Sequence, residues 1–227
     1  MRKSFSIFVV IALAMLAVST ANAQKSKSFA GTVKFSVTFE GNTNPKDHAP
    51  QEQLYTIFGN KIKIVVPARS MTQILDGDAV KVTVLYDIPG YKSGYTVSKE
   101  GLEARQERYN YSYTKGEDTM TVCGYLCTRY DVTIYDTDED EETTAVVYTT
   151  TEIGEGSDIN IFEYPGLTGF PLYSETEEKG VKEIQKAVEI KPTKVKGIDF
   201  LTPTGYKMFP SYMEWALFIN AAFSKEE

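Results

Sequence analysis

His48 is the single histidine of this 227-residue chain. It lies in a polar stretch, Gly41 to Gln53, that also carries Pro45 and Pro50. A Ser-His-Asp arrangement needs a histidine base, and a metal site usually takes more than one histidine. His48 therefore reads as a surface-loop residue. Asp136-Thr137-Asp138-Glu139-Asp140 looks like the opening of a calcium loop, but the sixth position is Glu141 where Gly is needed and the twelfth is Val147 where Glu is needed. The run predicts a solvated hairpin tip, with weak surface calcium binding as the alternative. Acidic pairs are plentiful, yet nothing in the order of residues sets two carboxylates across a glycosidic bond. No G-x-S-x-G, phosphate-binding loop or dinucleotide fingerprint occurs. The expectation is a non-enzymatic protein with no catalytic residue, no metal and no cofactor. Asn110-Tyr111-Ser112 is a glycosylation sequon, informative only in a host that uses such sites.

Cys123 and Cys127 are the only cysteines. Their spacing is not the redox C-x-x-C, which excludes a thioredoxin-like role. On one straight strand they would lie about 13 Å apart, too far to bridge. A disulfide between them requires the chain to reverse at Gly124-Tyr125, so bridged and free forms both stay open.

Residues 1–23 read as a signal peptide. Arg2 and Lys3 give a positive start, Ile7 to Val18 is an apolar run, and Ala21-Asn22-Ala23 offers a cleavage site before Gln24. The run is about a dozen residues, short of the ~20 that span a bilayer. No cysteine near the cleavage site offers a lipid anchor. The expectation is export, to the periplasm or beyond the cell, with no transmembrane segment in the mature chain. The whole chain has 24 basic and 31 acidic residues; without Arg2 and Lys3 the remaining 204 residues carry a net charge of −9. That balance argues against nucleic acid as a partner. A chain of 24–227 suits one domain with a sizeable core.

The elements follow from periodicity. Phe29, Val33, Phe35, Val37 and Phe39 alternate with Thr32, Lys34, Ser36 and Thr38, a strand signature. Leu54 to Phe58 and Lys61 to Val66 flank Gly59-Asn60, which suits a type II′ hairpin. Met71 to Leu75 and Ala79 to Tyr86 form a second hairpin around Asp76-Gly77-Asp78. Ile88 to Gly94 breaks the pattern with Pro89, Gly90 and Gly94. Ser98 to Tyr109 predicts a short helix capped by Ser98. Further strands are expected at Asn110 to Thr114, Asp118 to Cys123, Leu126 to Tyr135, Thr143 to Thr151, Leu172 to Glu178 and Lys182 to Ile190. The last also fits a helical period; strand is preferred because its neighbours meander. Pro210 to Phe223 predicts a helix with Pro in its first turn, apolar around nearly its whole circumference and so buried on most sides. It either caps the open side of a curved sheet or serves as a lid or docking surface.

The fold class is mainly β (α+β): a strongly curved antiparallel sheet with short helices, the hydrophobic C-terminal one included. Such a sheet either encloses an apolar cavity or closes into a packed core. Phe35, Phe39, Ile62, Ile64, Val82 and Val84 are candidate cavity walls; Trp215 and Phe218 are candidate lid residues.

Three segments carry a resemblance: Val122-Cys-Gly-Tyr-Leu-Cys-Thr-Arg-Tyr-Asp-Val132, Gly166-Leu-Thr-Gly-Phe-Pro-Leu172 and Phe200-Leu-Thr-Pro-Thr-Gly-Tyr206. In this order behind a leader, they resemble a family of Bacteroidetes periplasmic proteins. That family is similar to the outer-membrane lipoprotein carrier LolA and its receptor LolB. The resemblance covers roughly Phe29 to Phe209. It implies an incomplete barrel, a half-barrel whose helices close an apolar cavity able to take lipoprotein acyl chains. The leading expectation is therefore non-covalent binding of a lipid, an acyl chain or another apolar ligand in the envelope. The second is a structural or adaptor protein whose surface binds another envelope protein.

Overall fold

The computed structural model describes residues 29–41, 51–153, 160 and 163–224. The leader and His48 lie outside the described residues. β1 (Ala30–Gly41) sets the pattern. Val33, Phe35 and Val37 are buried, while Lys34, Ser36 and Thr38 between them are half-buried, because successive strand side chains point to opposite faces. β2 (Gln51–Phe58) and β3 (Lys61–Val66) form the expected hairpin, with Gly59 at φ +58° as the first residue of a II′ turn demands. β4 (Met71–Asp76) and β5 (Lys81–Ile88) follow. The inward side chains of these strands include Ile57, Ile62, Ile64, Leu75, Val82 and Val84, all buried in one cluster with Val33 and Phe35. Full burial of each such side chain stabilises the fold by roughly 1.5–3 kcal/mol before entropy is counted.

The stretch after β5 corrects the sequence reading. Ile88 to Gly94 is no break: Pro89-Gly90 is a tight turn, with Gly90 at φ +81°, and β6 (Tyr91–Val97) pairs with β5. Gly94 lies inside this strand because a Cβ there would sit 2.2 Å from the Val84 carbonyl oxygen. The glycine marks close approach of two backbones. Helix α1 (Lys99–Arg108) then forms where predicted, and Ser98 Oγ accepts from the Gly101 amide at 3.4 Å.

The remaining strands are β7 (Tyr109–Val122), β8 (Tyr125–Asp136), β9 (Glu141–Thr150), β10 (Phe170–Glu178) and β11 (Val181–Pro192). The two strands expected at 110–114 and 118–123 are one, with a register shift between Lys115 and Thr119. Lys182 to Ile190 is strand, as preferred. Asp136 to Asp140 is the hairpin tip between β8 and β9. Arg108 clamps it, its guanidinium 2.5 Å from the Asp136 carboxylate and 3.1 Å from Glu139. This pair holds the Asp136 carboxyl down at about 2.

Among the described residues the sheet has twelve strands, with β6 to β1 in a meander at one end and β11 to β7 at the other. The pairing of β1 with β11 joins the two meanders. The sheet is open and curved. Its curvature brings Val82 of β5, Leu102 of α1, Val122 of β7 and Cys127 of β8 into one buried cluster, although β5 and β7 lie far apart in strand order. Helix α1 thus bridges the open side.

The C-terminal segment wraps one sheet edge. Val195, Phe200 and Tyr206 cover Ile74 and Leu85 on the outer face. β12 (Lys207–Phe209) then pairs with β6 in parallel, the one parallel ladder among the described residues, so the otherwise antiparallel sheet is mixed at this edge. Helix α2 (Tyr212–Phe223) returns onto the inner side of β5 and β6. Its Trp215 Nε1 donates to Ser93 Oγ at 3.0 Å, and the indole stacks on Tyr86 at 4.5 Å. Ser211 caps this helix, and Pro210 precedes the cap, where Pro in the first turn was expected. Burial on most sides is also corrected. Trp215 alone of its residues is buried, whereas Tyr212, Met213 and Leu217 are 57%, 67% and 64% exposed. One helix on a sheet edge has only one side to pack.

Candidate ligand cavity

The curved sheet holds an open cavity of about 760 Å³. Its apolar wall comes from β1, β3 and β4, with Phe35, Phe39, Ile62, Ile64 and Leu75 turned toward it. Strand period and register place them together: Phe35 and Phe39 share the inner face of β1, Ile62 and Ile64 that of β3. Phe35 and Tyr55 of β2 also pack ring to ring at 4.6 Å, and both approach Phe170 of β10. Val82 and Val84 are buried in the adjoining core and do not line the cavity. Trp215 and Phe218 do not line it either. Phe218 instead packs against Phe209 at 5.0 Å and borders a shallower hollow with Lys207 and Tyr91. Helix α2 covers the β5–β6 end of the inner face, which is why its aromatic residues miss the cavity.

Cys123 and Cys127 are free thiols, so the bridge left open by their spacing is not formed. The reversal falls at Cys123-Gly124, both at positive φ (+50° and +89°), with Val122 paired to Tyr125. That places Cys123 in the exposed turn, its Sγ 3.3 Å from the Ala187 carbonyl, and Cys127 in the buried core, where burial pushes its thiol up to about 11.

A second wall is polar. The segment 163–169 lies against the inner side of β8, β9 and β10, where Tyr164 and Leu167 pack on Val132, Ala145 and Val147. Buried Asn160 holds it, donating to the carbonyls of Leu167 (2.9 Å) and Gly169 (2.6 Å). Tyr113 donates to the Pro165 carbonyl at 2.8 Å and Thr149 to that of Thr168 at 2.8 Å. Deep in the cavity Gln185 Nε2 donates to the Gln53 Oε1 and to the Tyr55 hydroxyl, each at 3.1 Å. Burial drives the Tyr55 hydroxyl far above its ordinary range, so it stays neutral at any physiological pH.

Six charged side chains also line the space: Arg69 from the turn after β3, Arg105 from α1, Glu163 from the segment before β10, Glu178 from the end of β10, Lys179 from the turn that follows it, and Glu183 from β11. Glu163 is exposed to the cavity but enclosed by protein beyond it. The loss of bulk water around it, and then repulsion from Glu183, push its carboxyl up to about 7, against the pull of Arg105. Reduced hydration raises Glu183 too, opposed by Arg69. Such shifts concentrate where a protein has a task for a group. Among the described residues no group of three His, Cys, Asp or Glu side chains is placed to hold a metal ion.

The sequence reading missed these polar residues. One signal for them existed. On β11 the apolar residues Ile184 and Val188 fall on the face opposite Glu183, Gln185 and Ala187, and the register shift at Val188 then returns Ile190 to the inner face, opposite Val33. Register turns Glu183 and Gln185 inward, opposite Phe39 and Val37, and leaves Val188 51% exposed. A strand with its polar face inward marks a cavity. Arg69 and Arg105 carried no comparable mark.

No protein-family model matches the chain, and no curated protein sequence matches it. Solved structures similar to it include the following two. A LolA superfamily protein from Nitrosomonas europaea is 7% identical over 77% of this chain and 91% of that chain, with a TM-score of 0.38. LprF from Mycobacterium bovis is 10% identical over 78% of this chain and 90% of that one, with a TM-score of 0.29.

Proposed function

We propose that this is a non-enzymatic, exported protein of the cell envelope that holds a lipid, an acyl chain or another apolar ligand non-covalently in the cavity. The observation that supports the reading is open space bounded by Phe35, Phe39, Ile62, Ile64 and Leu75. A packed core would fill such space, since interiors approach crystal density. A site of this size falls within the range of small-molecule pockets, about 300–1,000 Å³, that are mostly apolar with a few polar fittings. Each acyl methylene moved from water onto this wall contributes about 0.8 kcal/mol. Phe35, Phe39, Ile62 and Ile64 are the contacts to the tail in this reading. The leader at residues 1–23 supplies export.

The test is titration with a fluorescent fatty acid. The wild type takes up one equivalent, and Ile64→Trp, which projects a larger ring into the cavity, reduces uptake at least tenfold while the protein still melts cooperatively. Absence of saturable uptake by the wild type would falsify the reading. An adaptor role is favoured by a different observation, the exposed Met213 and Leu217 on α2. It predicts reproducible capture of one envelope protein, lost in Met213→Glu, with no ligand in the cavity.

A further inference from the structure

Two buried acceptors in the cavity have no donor. Asn160 and Gln185 both line the space and are only 5% and 8% exposed. Each has already spent its amide N–H groups. Asn160 Nδ2 donates to the carbonyls of Leu167 and Gly169, and Gln185 Nε2 donates to Gln53 Oε1 and to the Tyr55 hydroxyl. Backbone carbonyls only accept, so Asn160 must turn its nitrogen toward them and its oxygen away. The Tyr55 proton is spent as well, on Gln53 Oε1 at 3.2 Å. Among the described residues nothing donates to Asn160 Oδ1 or Gln185 Oε1, and nothing accepts from Gln53 Nε2. A buried acceptor without a donor is costly, and a guest that displaces water from it must return the bond.

Resting on the apolar-ligand reading above, we infer that the ligand carries an uncharged, hydroxyl-bearing head: one hydroxyl donates to Gln185 Oε1 and accepts from Gln53 Nε2, a further hydroxyl serves Asn160 Oδ1, and the tail lies on the Phe35–Ile64 wall. A hydroxyl is the small group that both donates and accepts. A carboxylate or an ester oxygen only accepts, and would leave both amide oxygens unserved. An ammonium only donates, and would leave Gln53 Nε2 unserved. Net charge does not select the head, since Arg69, Arg105 and Lys179 line the same space as Glu163, Glu178 and Glu183. Close to the amides the field is negative. Glu163 and Glu183 both act on the Tyr55 hydroxyl, so a carboxylate brought to this cluster meets repulsion.

The experiment uses the full mature protein and displaces a bound fluorescent fatty acid with competitors of lauroyl length, each below its aggregation concentration. Three esters differ only in hydroxyl number: 1-monolauroylglycerol has two, propanediol monolaurate one and propyl laurate none. Laurate and dodecylammonium supply the charged heads. One buried acceptor left unserved corresponds to about tenfold in affinity. Monolauroylglycerol should therefore compete at least about tenfold better than propyl laurate, laurate or dodecylammonium, with propanediol monolaurate between. In Gln185→Met the gap between monolauroylglycerol and propyl laurate should close by about tenfold while propyl laurate still binds. If that variant does not fold, the ester series on the wild type carries the test alone. Equal competition by the three esters, preference for either charged head, or a gap that persists in Gln185→Met would overturn the head inference and leave tail binding intact. Failure of every probe to bind would overturn the apolar-ligand reading itself.

Discussion

Replacing Glu163 by Gln tests the electrostatics of the cavity in the ligand-free protein. The carboxyl is raised from 4.5 to about 7 in the folded state, first by loss of bulk water and then by Glu183. A folded form that holds its proton more tightly than the unfolded form is most stable, with respect to this group, below pH 4.5. That stability is lost as pH rises and is fully gone above pH 7. A shift of this size in a sealed interior would correspond to roughly 3 kcal/mol at ~1.4 kcal/mol per pK unit. Glu163 is open to cavity water, however, and screening by that water reduces the effect to about 1 kcal/mol. Gln is nearly isosteric and cannot ionise, so E163Q should match the wild type at pH 5 and exceed it at pH 8. In a domain of this size ~1 kcal/mol moves the melting temperature by about 2–4 °C. The assay is thermal unfolding of both proteins at pH 5 and pH 8. Glu183, also raised, gives both proteins a common slope of the same sign, so the quantity that matters is the difference between them. A difference unchanged from pH 5 to pH 8, or a variant less stable than wild type at pH 8, would refute the reasoning.

Three other outcomes are expected. Trp215→Ala removes the indole stacked on Tyr86 and its hydrogen bond to Ser93, and urea melts should show a loss of about 3–5 kcal/mol. Gly94→Ala drives a methyl into the Val84 carbonyl; a cost of about 1–3 kcal/mol, with hydrogen-exchange protection lost first in β6, would be the signature. Cys127, buried and with its thiol near 11, should react with a thiol reagent at pH 8 only on unfolding, whereas exposed Cys123 reacts in the native protein; equal rates in the native state would contradict the core placement of Cys127.

Strands with strict two-residue alternation were legible from the residues alone. β1 and the β2–β3 hairpin each bury one face, so their apolar positions recur at period two. Helix α1 was legible through its Ser98 cap. β6 was not, because Gly94 breaks a local pattern for a reason that lies on β5, the Val84 backbone. The joining of β1 to β11 across about 150 residues of chain also left no local trace. Of the cavity, the apolar wall followed from alternation, and Phe35, Phe39, Ile62 and Ile64 do come together. Val82 and Val84 alternate just as well, and only sheet curvature decides that they close into core. The placement of α2 depended on the turn that carries the chain round the sheet edge, which the apolar run of Tyr212 to Phe223 does not encode. Charged residues in the cavity come from α1, from the ends of strands and turns, and from the inverted β11, where pattern reading assigns polar side chains to solvent.

The account depends on the chamber beneath β1 and β3 being a place for a guest. Native mass spectrometry of the protein extracted gently from its own cells measures this directly. The account predicts a single additional mass per chain, released by collisional heating and missing from the Ile64→Trp variant. A bare polypeptide mass in both, with no adduct regained on incubation with 1-monolauroylglycerol or palmitate, would contradict it.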